Sequence, residues 1–166
     1  MRQRALLAMA LACGPSILIA DEPTSSLDPG SQAAILALLR ELRRERSIGL
    51  LVLTHDLQFA ARLCDEVAVF CGGRIVERGS PADLLLRPRH PYTAGLVRSL
   101  PGLSEACTGS VLSPLPGSPT PPCETTRGCR FISRCSRRQD DCALEEPGLV
   151  AEGGRAVACF HPLEEQ

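Results

Sequence analysis

Two uninterrupted apolar runs stand out along the chain, Ile17-Leu18-Ile19-Ala20 and Leu50-Leu51-Val52-Leu53, and each stops at polar residues, Asp21-Glu22 in one case and Thr54-His55-Asp56 in the other. Runs of this length without polar alternation predict parallel strands covered on both faces. Functional groups in such sheets gather at the carboxyl ends of the strands, where Glu22 and His55 stand. Between the runs, Ile35, Leu38, Leu39 and Leu42 recur at helical spacing, with Arg40, Glu41, Arg43, Arg44 and Glu45 on the opposite, solvated face. Asp28 can cap that helix and Pro29 suits its first turn. Residues 4–12, rich in alanine and leucine, predict an earlier helix with most of its surface buried, ended by Gly14-Pro15. Leu57, Phe59, Ala60 and Leu63 predict a short helix over 56–64. Alternating strands and helices imply a right-handed parallel α/β arrangement.

Further on, Glu66–Cys71 and Arg74–Arg78 are β-like runs joined by Gly72-Gly73, which predicts a tight hairpin. Small helices are expected from Ser80-Pro81 to Leu86 and from His90-Pro91 to Leu100. After Pro101-Gly102 the texture changes. Ser113 to Pro122 is too rich in proline for a helix or a central strand and predicts a linker. Residues 123–166 are too few and too poor in apolar side chains for a core of their own, and a metal centre would supply the missing stability. The expected division is 1–100, 101–122 and 123–166.

Composition narrows the chemistry. The 166 residues carry a formal charge of −1, so net balance makes no case for nucleic acid or an anionic membrane surface. All basic residues are arginine. A phosphate-binding P-loop needs a lysine and a glycine-rich turn, and neither occurs. No segment approaches the ~20 apolar residues of a membrane span. Met1-Arg2-Gln3-Arg4, with the apolar stretch to Ala12 and then Cys13, has the outline of a secretory signal, but it runs directly into the first strand. Export would part that strand from its chemistry.

The ordered set Asp21-Glu22, Ser25-Ser26-Leu27-Asp28 and His55 resembles the ATPase subunit of ABC transporters: a Walker B strand with its glutamate, a D-loop and a switch histidine. The fold this implies is α/β, the C-terminal part of an ABC-type P-loop NTPase domain, with parallel strands, helices and a β-hairpin, followed by a Cys-rich extension. The resemblance implies that Glu22 polarises the attacking water, Asp21 holds Mg²⁺ through water, and His55 meets the γ-phosphate of ATP. It implies that Ser25 and Asp28 face the opposite subunit of a nucleotide-sandwich dimer, although Asp28 can equally be a plain helix cap. Arg2, Gln3 and Arg4 resemble the end of the signature sequence of peptide importers. Met1 is therefore expected to be an internal methionine of a C-terminal fragment, which, lacking Walker A, the Q-loop and the signature glycines, should not bind ATP productively alone.

Nine cysteines is a high count, and Cys129, Cys135, Cys142 and Cys159 lie together in the last quarter, separated by five, six and sixteen residues. Four thiolates suit tetrahedral Zn²⁺ or an iron–sulfur cluster on count, while the absence of C-x-x-C knuckles argues against zinc. Cys13, Cys64, Cys71 and Cys107 are expected to be small core or surface residues, and His90 and His161 ordinary polar ones. His90-Pro91-Tyr92-Thr93, the Pro-Gly-Ser-Pro linker and Gly128 to Cys135 resemble the C-terminal extension of oligopeptide and dipeptide importer ATPases. That resemblance implies a [4Fe-4S] cluster on Cys129, Cys135, Cys142 and Cys159, with Cys123 a bystander.

The function so implied is ATP-driven peptide uptake at the cytoplasmic face of a bacterial inner membrane. The partners are a second ATPase subunit, two permeases and an external binding protein. Related systems import nickel or other small solutes, and nothing in this subunit reads the substrate. A soluble ABC-type ATPase of DNA repair would share residues 17–55 but not the cysteine tail. A non-enzymatic metal or Fe–S module is the other alternative, and the missing P-loop favours it.

Overall fold

The computed structural model describes residues 2–46, 48–100, 115, 117 and 127–164. Most of the expected linker, together with Cys107 and Cys123, lies outside the described residues, as do the side chains of Arg2, Gln3 and Arg4. Two compact units divide between Asp65 and Glu66. The hairpin and the cysteine-bearing segment therefore share the second. Among the described residues, no helix is long and apolar enough to cross a membrane.

The first unit runs α1 (Arg2–Leu11), β1 (Ile17–Asp21), α2 (Pro29–Arg46), β2 (Gly49–Leu53) and α3 (Leu57–Leu63). β1 and β2 pair in parallel, Ile17 opposite Gly49 through Asp21 opposite Leu53. Leu18, Ile35, Leu36, Leu39, Ile48, Phe59 and Leu63 form its core. Two expectations need correction. The strands are covered on one face only: Leu18 and Ala20 are buried, whereas Ile17 and Ile19 are each 64% exposed and Leu51 and Leu53 are exposed on the same terms. A strand sends successive side chains to opposite faces, and in this unit the helical side chains of the core meet only one of them. Among the described side chains the helix α1 is likewise mostly exposed, with Leu7 and Leu11 packed against the core and Leu6 and Met9 facing outward. Its helicity follows from alanine and leucine propensity rather than burial.

The charged face of α2 is solvated as expected, with one added function. Arg40 donates to the Arg62 carbonyl at 2.9 Å, and Arg43 donates to the Leu63 carbonyl at 2.7 Å and to Asp65 at 3.0 Å. These guanidinium groups satisfy carbonyls at the open end of α3, where a cation also opposes the helix dipole favourably.

The second unit runs β3 (Val67–Cys71), β4 (Arg74–Gly79), α4 (Pro81–Leu86), α5 (Pro91–Arg98), a 3₁₀ turn (Ile132–Arg134), α6 (Asp141–Leu144), β5 (Val150–Glu152) and β6 (Arg155–Val157). Its sheet order is β3-β4-β6-β5, with every neighbouring pair antiparallel. Gly72 and Gly73 turn the first hairpin with φ of 56° and 80°, the paired positive values that favour glycine at both positions. Val69, Val76 and Leu84 form the core, with Tyr92 and Leu96 of α5 against it. Ser80 and His90 cap α4 and α5, each side chain accepting a main-chain N–H, and a proline follows each cap.

A buried carboxylate joins the early and late parts of this unit. Glu77 on β4, 1% exposed, accepts the main-chain N–H of Arg89 at 2.7 Å and of His90 at 2.9 Å, and faces the Arg155 guanidinium at 3.3 Å. β6 pairs with β4 directly beside it, Glu77 opposite Val157. The segment after residue 127 is thus anchored by main-chain pairing as well as by side chains.

Candidate functional site

The first site lies where β1 and β2 end. Asp21 closes β1 opposite Leu53, and the main-chain N–H of Glu22 donates to the Leu53 carbonyl at 2.8 Å, extending the pairing by one residue. Glu22 then takes a φ of 45°, uncommon for a residue with a side chain and the kind of strain found at functional positions. Its Oε1 accepts the His55 main-chain N–H at 3.0 Å and lies 2.8 Å from His55 Nδ1. Among the described residues Oε2 has no protein donor, and the side chain is 37% exposed, so this oxygen can accept from a solvent molecule.

The loop after Glu22 is held locally. Ser25 donates its main-chain N–H and its hydroxyl to the Glu22 carbonyl, at 3.1 and 3.0 Å, and Ser26 has a φ of 64°. Asp28 caps α2, accepting the Ser31 N–H at 2.9 Å and the Ser31 hydroxyl at 2.7 Å. The Ser31 hydroxyl, and then its N–H, hold the Asp28 carboxyl below the usual carboxylate range. The capping role of Asp28 is therefore real, and it does not consume the exposed face of the loop.

The Glu22 carboxylate raises the pKa of His55, first through their hydrogen bond and then through charge. The ring is 83% exposed, so the coupling is local. Its contribution to stability is fully present below the ordinary histidine pKa of about 6.5 and is lost as pH rises through the raised value. In an NMR titration, His55 is expected to titrate above the ordinary histidine value and to return toward it in Glu22→Gln. An unchanged midpoint in that variant would show that the pair does not form.

The second site gathers the four late cysteines. Cys129, Cys135, Cys142 and Cys159 line one small cavity of about 10 Å³ with His90, Phe131 and other side chains. The 3₁₀ turn presents Cys135, α6 carries the buried Cys142, and Cys159 follows β6. The Cys129 N–H donates to the Cys142 carbonyl at 2.8 Å. Burial pushes the thiols of Cys129 and Cys135 up and that of Cys159 up to about 11, and each feels the neighbouring cysteines. Converging thiols whose thiolates are disfavoured this way are what a bound cation would relieve.

Gly128 sets how closely this segment meets α6. A Cβ there would collide with the Cys142 carbonyl oxygen and stand 2.8 and 2.9 Å from backbone atoms of Ala143. Gly128→Ala is therefore expected to displace Cys129 from Cys142 and to cut any metal bound per chain at least tenfold, measured as iron or zinc content after reconstitution. Wild-type loading would show that the close approach is not needed.

Among the described residues, the group whose ligand atoms all lie within 4.8 Å of one another is Asp141, Cys142 and His161; no three of the four cysteine sulfurs meet that spacing. Tetrahedral zinc with Zn–S near 2.3 Å needs sulfurs about 3.8 Å apart. The four thiols sharing one cavity suit zinc or an iron–sulfur cluster in donor type and number. His161 Nε2 lies 2.8 Å from an Asp141 carboxylate oxygen beside Cys142.

The sequence-predicted residues thus fall into two places. Glu22 and His55 touch, Asp21 precedes Glu22 at the strand end, Ser25 bonds the Glu22 carbonyl, Asp28 caps α2 further along the loop, and the four cysteines share a cavity. Arg2, Gln3 and Arg4 are placed by backbone only, on α1. Three residues have surroundings that the sequence did not reveal. His90 is not an ordinary polar residue but is 1% exposed, and burial pushes its pKa down to about 4. Cys71, half-buried on β3, lies near enough to Cys129 to disfavour its thiolate, and burial lifts its pKa to about 11. Glu77 reads in sequence as one polar residue of a strand. The His-Pro pair, a good helix start, was the available signal for His90; Cys71 and Glu77 had none.

Residues 76–142 match the family described as the oligopeptide/dipeptide transporter, C-terminal region. The oligopeptide transport ATP-binding protein OppD of Escherichia coli (strain K12) is 42% identical over 165 residues, 99% of this chain and 48% of that protein. The dipeptide transport ATP-binding protein DppD of Haemophilus influenzae (strain ATCC 51907 / DSM 11121 / KW20 / Rd) is 42% identical over 166 residues, 100% of this chain and 50% of that protein. The oligopeptide transport ATP-binding protein AppD of Bacillus subtilis (strain 168) is 40% identical over 168 residues, 99% and 50% respectively. The chain spans about half the length of the curated relatives it matches. Those relatives are named for peptide transport, and they lend the DNA-repair and stand-alone metal-module alternatives no support. The strand-end carboxylate against its histidine, the cysteine-lined segment and these matches agree: the chain belongs with the ATP-binding subunits of oligopeptide/dipeptide ABC importers and corresponds to their C-terminal part.

Proposed function

We propose that this chain supplies the hydrolytic half of an ATPase subunit that drives peptide uptake across a bacterial inner membrane from its cytoplasmic face. The observation that carries this reading is the Glu22 carboxylate, held at the end of the parallel pair by His55 with one oxygen left toward solvent. Hydrolysis of a γ-phosphate needs an oriented water and neutralisation of spreading charge. Glu22 would orient and polarise the water, and Mg²⁺, when bound, would supply charge neutralisation. Asp21 would hold that ion through water, as Mg²⁺ keeps much of its hydration shell. His55, whose Nδ1 is engaged by Glu22, keeps Nε2 for the phosphate. Ser25 and Asp28 would face a second subunit. Arg2, Gln3 and Arg4 lie in the first turn of α1, the end whose dipole favours an anion.

The uncovered face of β1 and β2 supports the same reading, since strands without alternation are built for cover on both sides. In the assembled subunit that cover would come from the part of the relatives' length this chain does not span. The four cysteines would hold a [4Fe-4S] cluster, whose enclosed position favours a structural or redox role over contact with peptide.

The partners in this reading are a second ATPase subunit, two permeases and an external peptide-binding protein. The test is ATP hydrolysis by the assembled transporter in proteoliposomes. Peptide-loaded binding protein is expected to stimulate it severalfold. Equal rates with and without peptide, or copurification with DNA instead of permeases, would refute peptide uptake as the function.

A further inference from the structure

One set of unlike ligand atoms is already gathered beside the cysteine cavity. Asp141 and Cys142 open α6, and His161 follows β6, 20 positions beyond Asp141. His161 Nε2 lies 2.9 and 2.8 Å from the two Asp141 carboxylate oxygens, and the same carboxylate takes a hydrogen bond from the Cys142 thiol. A carboxylate oxygen, a sulfur and an imidazole nitrogen thus lie within 4.8 Å of one another, and among the described residues no three of the four late cysteine sulfurs do. Cys142 is buried, while the side chains of His161 and Asp141 are 24% and 46% exposed. An ion could therefore enter from solvent on the Asp141 side. Cys142 is also held in place, its carbonyl accepting the Cys129 N–H at 2.8 Å. Zinc with bonds of about 2.0–2.3 Å sets its ligands about 3.4–3.8 Å apart, so the three residues need shifts of about 1 Å or less to reach it.

We propose that Asp141, Cys142 and His161 form a site for a single zinc ion, held by a carboxylate oxygen, Cys142 Sγ and His161 Nε2, with water in the fourth position. Mixed oxygen, sulfur and nitrogen donors suit zinc, whereas Mg²⁺ and Ca²⁺ take oxygen ligands. One carboxylate and one thiolate balance the divalent charge, so the loaded site is neutral and adds no net repulsion to Arg137, which lines the same cavity. On binding, the Cys142 proton passes to solvent and the His161 ring proton is carried on Nδ1, leaving the Nε2 lone pair for the metal. The adjoining cavity of about 10 Å³, lined by Cys142 and His161, has room for about one water. The ion closes the loop that runs from α6 through β5 and β6, and its binding contributes to the folding of that segment. This site does not rest on the cluster reading. It shares Cys142 with the four-cysteine set, so a chain with zinc here has no fourth thiolate for a cluster.

The test is titration of the full, reduced, metal-free chain with cobalt(II) and then zinc. Thiolate-to-cobalt charge-transfer absorption grows with the number of Co–S bonds. One tetrahedral cobalt per chain with the intensity of a single thiolate, displaced by zinc, is expected. The intensity of three or four thiolates would put the ion on the cysteines and overturn the proposal, as would failure to bind either metal. Zinc affinity is then read by competition with a chromophoric chelator. It is expected to fall in His161→Gln and in Asp141→Asn by more than the roughly 10–100-fold that an outer-shell partner is worth, and to survive Cys129→Ser. His161→Gln keeps an N–H donor for Asp141, so the hydrogen bond between the two segments is retained. Unchanged affinity in both variants, or loss of zinc in Cys129→Ser alone, would overturn the proposal. Should a variant fail to fold, the wild-type cobalt spectrum decides. The cluster reading stands or falls separately, on uptake of iron and sulfide under anaerobic conditions.

Discussion

Glu22→Gln is expected to leave ATP binding near wild type and to lower turnover by about 10²–10⁴, the usual worth of a positioned general base. The test is made in the assembled ATPase, with binding and single-turnover hydrolysis measured separately. The substitution is close to isosteric. It can keep a hydrogen bond to the His55 N–H, 3.0 Å away in wild type, so the strained turn at residue 22 should survive. What it removes is the negative charge that, in the proposed function, orients a water and supports the proton leaving it. A drop of less than tenfold would assign the base to another group. A loss of nucleotide binding would show that Glu22 builds the site and does not act in it.

Glu77→Ala is expected to be the most destabilising single change in the second unit, by about 3–5 kcal/mol in urea unfolding, as for removing one member of a buried ion pair. The side chain is 1% exposed, and its partner Arg155 is 10% exposed. Without it the guanidinium keeps the Arg87 carbonyl and the Asp83 carboxylate at 3.9 Å but loses its nearer, buried countercharge, and two main-chain N–H groups lose their acceptor. Glu77→Gln, which retains an acceptor oxygen, is expected to cost less than Glu77→Ala. Equal losses would mean that shape, and not charge or acceptance, is what the position provides. A loss near zero would mean that the pair is replaceable by water.

These two residues show what was readable along the chain. Glu22 could be found because its chemistry is local: an apolar run ending in Asp-Glu, a short polar loop, and a second run ending in histidine. The elements themselves were legible for the same reason, and Gly72-Gly73 announced its hairpin. Gly153-Gly154 carries the same positive φ values, 57° and 82°, and turns β5 into β6. It passed unnoticed because three-residue strands show no periodicity. Glu77 was opaque because a buried carboxylate is recognised by its partners, and Arg89, His90 and Arg155 become partners only in the fold. Burial was misjudged for a related reason. Apolar runs state what a strand can tolerate on its faces, whereas the neighbours decide which face is covered, as Ile17 and Ile19 show. The cysteines lay between these cases: their grouping was visible, while the nearness of Cys71 to Cys129 depends on a hairpin meeting a segment far along the chain.

The sheet of the second unit also has a history in time. Each of its hairpins, β3–β4 and β5–β6, closes through a two-glycine turn, and such local pairs form in about 1–10 μs. Joining them is another matter, because Glu77 and Arg155 stand 78 positions apart along the chain. Closing a loop of that size lowers chain entropy before any contact rewards it. The docking of one hairpin on the other is therefore the slow step, and the ion pair that seals it is among the last contacts to form. Until then Glu77 is an ordinary hydrated carboxylate on an open strand edge, and the cysteine-bearing segment lacks its main-chain pairing to β4. The gathering of the four late cysteines is in this sense timed by the sheet.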